Sequence, residues 1–320
     1  MEPRAPRHEP LAYVMRSGMV ESVHYGSVVV LGADGTTRHA VGDPDAVVYP
    51  RSALKLVQAS AMAGLGLDLP ADLLALAAAS HSGEQRHIDG ALRILATAGL
   101  TEDDLRNPAG YPLDADVRDT WIAAGRAPSR LAQNCSGKHA AMLLTATRNG
   151  WPLDDYREPE HQLQREIAAQ VAELSGEKIG KVAVDGCGAP LFALSLTGLA
   201  RAIGAVASAS AGTPMHAVAE AVRAHPEQLG GSTRPVTELI TAVPGLIAKD
   251  GAEGVQVAAL PDGTAVALKL ADGTARAREP VTVAALALAG VDTAPLAPLL
   301  AGADGDVEDG VRLASALVSR

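Results

Sequence analysis

The chain has 320 residues, a formal net charge of −10, 48% hydrophobic residues and only 2% aromatic ones. That length suits one large domain or two small ones, with a core built mainly from Ala, Val and Leu. A negative balance without a basic patch excludes nucleic acid and anionic membrane as partners, and no apolar run approaches the roughly 18 residues of a membrane span.

The opening stretch MEPRAPRHEP has no apolar segment of the kind a signal peptide needs, so a cytoplasmic location is expected. The two cysteines, Cys135 and Cys187, lie far apart, and in a reducing compartment a use other than a disulfide is expected.

In chain order, YVMRSGMVESVHYGSVVVLG reads as strands, with rough alternation of β-branched residues, and ADGTTRH supplies a hairpin turn. After Pro50 the apolar period becomes helical, through Ala53, Leu54, Leu56 and Val57. Residues 71–99 give two further helix-like segments around ASHSGEQRH, and 137–148 and 161–175 are helical. KVAVDGCGAP is a short strand entering a Gly/Pro turn, and more helices follow through residue 224. The stretch LIAKDGAEGVQVAALPDGTAVALKLADGT reads as an antiparallel meander. VDTAPLAPLLAGADGD is loop-like, and a helix over 309–318 closes the chain. The expected fold is α+β in one domain: an antiparallel sheet from about 10–50 and 245–290, covered by a helical region at about 51–240.

Four groups of residues are candidates for chemistry. Ser52 and Lys55 are i,i+3 neighbours on a helix, a spacing that allows a lysine amine to take the serine proton. For that the amine must be neutral, so its pKa has to fall from about 10.4 toward 7. The same spacing also reads as a helix N-cap with a solvent lysine. In ASHSGEQRH, Ser80, His81, Ser82, Glu84 and His87 crowd a helix end, where Ser80 could bond a reacting group or merely terminate the helix. Lys249 ends an apolar strand before glycines that admit close approach, with Lys269 as its rival. Cys135 and Lys138 share a helix face, and Asp185 and Cys187 share one side of a strand. These thiols could hold a borderline-soft ion such as zinc, or pack as small hydrophobes.

The ordered series PRSALKLVQ, ASHSGE, NCSGKHAAML, VDGCGAP and KDGAEGV resembles the rhizobial-type (class 3) L-asparaginases, over about residues 10–275. Those proteins are similar in fold to serine β-lactamases and penicillin-binding proteins. The resemblance implies an L-asparagine amidohydrolase that yields aspartate and ammonia through a serine nucleophile and an acyl-enzyme. It implies a first pair of Ser52 with Lys55 and a second of Ser80 with Lys249, where the triplet reads Lys249-Asp250-Gly251. It places Arg51, His81, Asp185 and Glu253 at the substrate and assigns zinc to Cys135, Lys138 and Cys187. A homodimer is likewise implied. Two other readings stay open: a β-lactamase-like or D-amino-acid amidase or peptidase, and a non-catalytic protein that binds zinc and an amino acid.

Overall fold

Strand β1 (Glu9–Arg16) and the long β2 (Met19–Leu31) form a hairpin around Ser17-Gly18, both at positive φ, in the computed structural model, which describes residues 5–300 and 309–318. The second half of β2 also pairs with β3 (Thr37–Val41). A short β4 (Val47–Val48) leads to a 3₁₀ turn, Arg51–Leu54, that runs straight into α1 (Lys55–Gly64).

The helical middle comprises α2 (Ala71–Ala77), α3 (Gln85–Thr97), α4 (Ala115–Ala123), α5 (Ser136–Arg148) and α6 (Gln162–Ser175). A small hairpin of β5 (Val182–Val184) and β6 (Pro190–Phe192) interrupts it, and β7 (Leu194–Ser195) pairs with β4. Then come α7 (Leu196–Ala207), α8 (Pro214–Ala224), α9 (Pro226–Leu229) and α10 (Pro235–Ala242). The last three open on proline, which is pre-set for a first helical position and lacks the N–H that would go unpaired there. Strands β8 (Ile247–Gly251), β9 (Val255–Ala259) and β10 (Ala265–Leu270) make the expected meander, followed by α11 (Arg278–Leu288) and β11 (Gly310–Leu313).

The main sheet runs β11-β1-β2-β10-β9-β8, antiparallel throughout, so the two chain ends are joined in one layer. Helices α7 and α11 each pack on β2, β9 and β10, and β9 is buried along its whole length without alternation. A sheet covered on both faces has that pattern. Small residues let the layers close up: a Cβ on Gly204 of α7 would lie 2.7 Å from the Gly263 carbonyl oxygen in the β9–β10 turn. The fold is therefore α+β, with the helical layer held between terminal strands. No helix among the described residues is long and apolar enough to cross a membrane.

Two stretches differ from the sequence expectation. The closing segment is not a helix: Val311 is buried and Arg312 exposed, and β11 pairs with β1 at the sheet edge before a 3₁₀ turn at Ser315–Leu317. Its Ala/Leu composition is overridden by a partner almost 300 residues away, Val14 facing Val311. The strand region expected to reach 290 ends with β10, and Arg278–Leu288 is helical because Val281, Ala285 and Leu286 repeat at helical spacing. Within the loop-like stretch 291–306, Ala294–Leu300 forms a 3₁₀ segment, and 301–306 lie outside the described residues.

Candidate active site

The helical layer and the sheet meet at the turn before α1. Arg51 sits there at φ 52°, a left-handed conformation few non-glycine residues adopt. Backbone strain of this kind concentrates at functional positions. It turns the guanidinium onto Asp185, with Nε 2.7 Å from Oδ1, and Glu253 lies further out, with Oε1 3.8 Å from Arg51 Nη1. Burial alone would raise the Asp185 pKa, but Lys138 and Arg51 hold it below the usual carboxylate range. Glu253 is also at positive φ, and its side chain is largely exposed. Next to Arg51, Ser52 is half-buried, and its hydroxyl takes no side-chain hydrogen bond among the described residues.

Lys55, one turn on, is 1% exposed. Its ammonium donates to the Ala79 carbonyl at 2.5 Å, to Ser80 Oγ at 3.0 Å and to Cys135 Sγ at 3.1 Å. Three acceptors thus surround the buried Lys55 amine. The segment that carries Ser80 is fixed by backbone bonds from Ser80 to Leu229 (3.1 Å), from His81 to Asn134 (3.1 Å) and from Ser82 to Gly230 (2.8 Å). In this structure the Ser80 hydroxyl is therefore bonded to Lys55, whereas Lys249 bonds Asp250.

His81, expected at the substrate, is fully buried, with Nε2 2.9 Å from Ser136 Oγ and its ring stacked on His87 at 4.8 Å. Burial and the neighbouring His87 hold its pKa well below the usual value, so it is neutral. The structure thus places it inside the helical layer, supporting the Ser80 segment.

Lys249 lies on β8 with its amine 2.6 Å from Asp250 Oδ1 and 2.7 Å from the Asp250 carbonyl. Burial, partly offset by Asp250, pulls its pKa down to about 8. Asp250 is buried too, yet Lys249 and Arg234, which both bond its carboxylate, keep it ionised. Arg234 was not singled out from sequence; it stands before Pro235 with no motif around it. Lys249 shares a strand face with Gly251. A Cβ on Gly251 would sit 2.7 Å from the Pro50 carbonyl oxygen and 3.2 Å from the Ala53 nitrogen. That face of β8 therefore lies against the Ser52 turn. Lys269, the rival, gives its amine to the Glu253 and Leu270 carbonyls, at 2.6 and 2.8 Å.

Cys135 caps α5, Lys138 is in its first turn, and Cys187 is in the β5–β6 loop. The three gather: Lys138 Nζ is 3.3 Å from Cys187 Sγ, and both thiols are buried and free, with Cys135 Sγ 3.5 Å from Asn134 Oδ1 and Cys187 Sγ 4.0 Å from Asp185 Oδ2. The neighbouring thiol, with burial, pushes Cys135 up to about 12, while Cys135 and the Lys138 charge hold Cys187 well below the ordinary thiol range. Behind it, His139 Nδ1 is 2.7 Å from the Tyr156 hydroxyl, and its buried Nε2 has no partner. His139 follows Lys138 in the NCSGKHAAML motif, where a lone histidine carries no spacing signal. Among the described residues no group of three His, Cys, Asp or Glu is placed to hold a metal, so Cys135 and Cys187 would need the Lys138 amine as a third ligand.

A buried lysine on a serine hydroxyl, with a second buried lysine on the strand beside the Ser52 turn and an arginine–carboxylate pair next to it, forms an acyl-transfer type of arrangement. The family model for L-asparaginase II matches residues 12–309. The chain belongs to that family, and it is an amidohydrolase of the asparaginase type. Among curated proteins none matches. Solved structures similar to it include a β-lactamase from Mycobacterium bovis, at 16% identity, covering 82% of this chain and 94% of that one with a TM-score of 0.47. Another is a β-lactamase candidate from Bacteroides dorei, at 16% identity over 77% of this chain and 85% of that one, TM-score 0.41.

Proposed function

We propose that the protein hydrolyses the side-chain amide of L-asparagine, with Ser52 as the nucleophile. The observation that carries this reading is the position of Ser52. It follows Arg51 of the Arg51–Asp185 pair, is half-buried, and among the described residues no side chain hydrogen-bonds its hydroxyl. Arg51 is the group for the substrate carboxylate and Asp185 for its ammonium. Lys249, on the strand face against the Ser52 turn and with a pKa of about 8, is the amine best suited to accept the Ser52 proton. Attack on the amide carbon gives a tetrahedral intermediate; the C–N bond breaks and ammonia leaves with a proton from Lys249. Water then cleaves the aspartyl ester and releases aspartate. The Lys55 amine, bonded to Ser80 Oγ, orients that hydroxyl toward the developing oxyanion, an effect typically worth about 3–4 kcal/mol per donor.

Zinc fits this site through its two thiols, whose softness suits it, and through Lys138 once its proton is lost. Cys135, Cys187 and Lys138 would hold it, and when bound it would supply fixed charge beside Asp185. Assembly as a homodimer and a cytoplasmic location belong to the same proposal.

The test is ammonia release from L-asparagine by the wild type, Ser52→Ala and Ser80→Ala. Loss of turnover by about 10³-fold or more in Ser52→Ala is expected, with a smaller fall in Ser80→Ala. Wild-type protein that releases no ammonia from asparagine yet is acylated by a β-lactam would overturn the assignment.

A further inference from the structure

Beside Arg51 the surface opens into a groove of about 640 Å³, within the roughly 300–1,000 Å³ of small-molecule sites. Its apolar walls include Val47, Tyr49 and Val184, which are 60%, 39% and 72% exposed. The charged groups lining it are Arg51, already paired with Asp185, then Lys269 and the carboxylate Glu253, 3.8 Å from Arg51. Burial lowers the Lys269 pKa against Glu253 and Asp272, and with two carbonyls holding its amine, one N–H stays open to a ligand anion. Exposed aliphatic surface with a cationic end suits a ligand that has an apolar body and an anionic group.

Asparagine cannot use this space, because the nitrogen of its primary amide carries only hydrogens. The acyl half of a substrate has to stay fixed between attack and hydrolysis, whereas the amine half departs. An open groove that starts at Arg51, next to Ser52, suits the departing half. We propose that the groove is a leaving-group subsite and that the enzyme also hydrolyses secondary β-amides of aspartate whose amine is an apolar amino acid. The amine's side chain would lie on Val47 and Val184, and its carboxylate on Lys269. The inference rests on the Ser52 chemistry proposed above. Ser52 Oγ bonds to the β-carbonyl carbon, the C–N bond breaks, and the amine leaves after taking a proton. Water then hydrolyses the ester, so one dipeptide and one water give aspartate and the free amino acid.

The probe is β-aspartyl-leucine, with release of leucine followed beside ammonia release from L-asparagine on the same preparation. The wild type should hydrolyse both. Val47→Trp, a bulky change at an exposed position, should lower kcat/KM for the dipeptide about tenfold or more, the size of one lost pocket contact, with asparagine turnover unchanged. Val47→Thr, which keeps the branched shape, should retain activity on both substrates and shows that the site tolerates substitution. β-Aspartyl-leucine amide, which lacks the carboxylate, should be the poorer substrate. Turnover of asparagine with no hydrolysis of β-aspartyl-leucine overturns the subsite and leaves the proposed function standing. Activity on neither overturns both, and equal loss on both substrates in Val47→Trp removes the groove as a separate subsite.

Discussion

Gly251→Ala probes how the sheet positions the nucleophile. The glycine ends β8, and an added Cβ would stand 2.7 Å from the Pro50 carbonyl oxygen, 3.2 Å from the Ala53 nitrogen and 3.3 Å from the Val255 Cβ. Two of the three contacts are backbone atoms of the turn that bears Arg51 and Ser52, and none is the free end of a flexible side chain. Something must move by several tenths of an ångström, since ordinary carbon contacts lie at about 3.5–4.0 Å. Overpacking of this kind costs about 1–3 kcal/mol, read as a lower urea midpoint at unchanged m-value. Displacing the Ser52 turn from its strand should matter more for chemistry, about 10²-fold in kcat/KM for a shift approaching 1 Å. Gly64→Ala is the control: its Cβ would meet nothing within 4 Å at the end of α1, so activity should hold and stability rise by up to about 1 kcal/mol. Wild-type kcat/KM and midpoint in Gly251→Ala would refute a rigid contact between β8 and the Ser52 turn.

Three further outcomes follow from the same geometry. If Lys249 takes the Ser52 proton, kcat/KM for asparagine should rise with pH and level off above about 8, and Lys249→Met should abolish turnover. The linkage sign is fixed as well: the folded pKa of Lys249 lies below the roughly 10.4 of an unfolded lysine, so the unfolded chain binds more protons between those values and stability should rise with pH there. A pH-titrated urea series on wild type and Lys249→Met would read that slope, which the variant should lose. Cys187→Ala should remove bound zinc, quantified by elemental mass spectrometry, whereas Ser52→Ala should keep it; equal zinc in Cys187→Ala and wild type would refute the Cys135–Cys187–Lys138 site.

Much of this architecture is legible in the sequence because it is local. The Asp-Gly turns, the short apolar runs between turn residues in 246–270 and the change of period after Pro50 each depend on neighbours a few residues apart. The five quoted motifs likewise named the residues that gather at the site. Partnerships over long separations were not legible. Lys55 meets residues 24, 25 and 80 positions away, and the direction of its side chain is set by the fold of the 79–82 segment. Asp250 depends on Arg234, an arginine with no motif around it. The edge strand β11 is defined by β1, so an Ala/Leu-rich segment that reads as helix in isolation becomes a strand.

The most direct test of the central claim is to quench the reaction with L-asparagine in acid during the first turnovers and map the acylated peptide by mass spectrometry. The account predicts an aspartyl ester on Ser52, absent from Ser52→Ala. An aspartyl group found on Ser80, or full turnover with no acyl-enzyme at all, would contradict it.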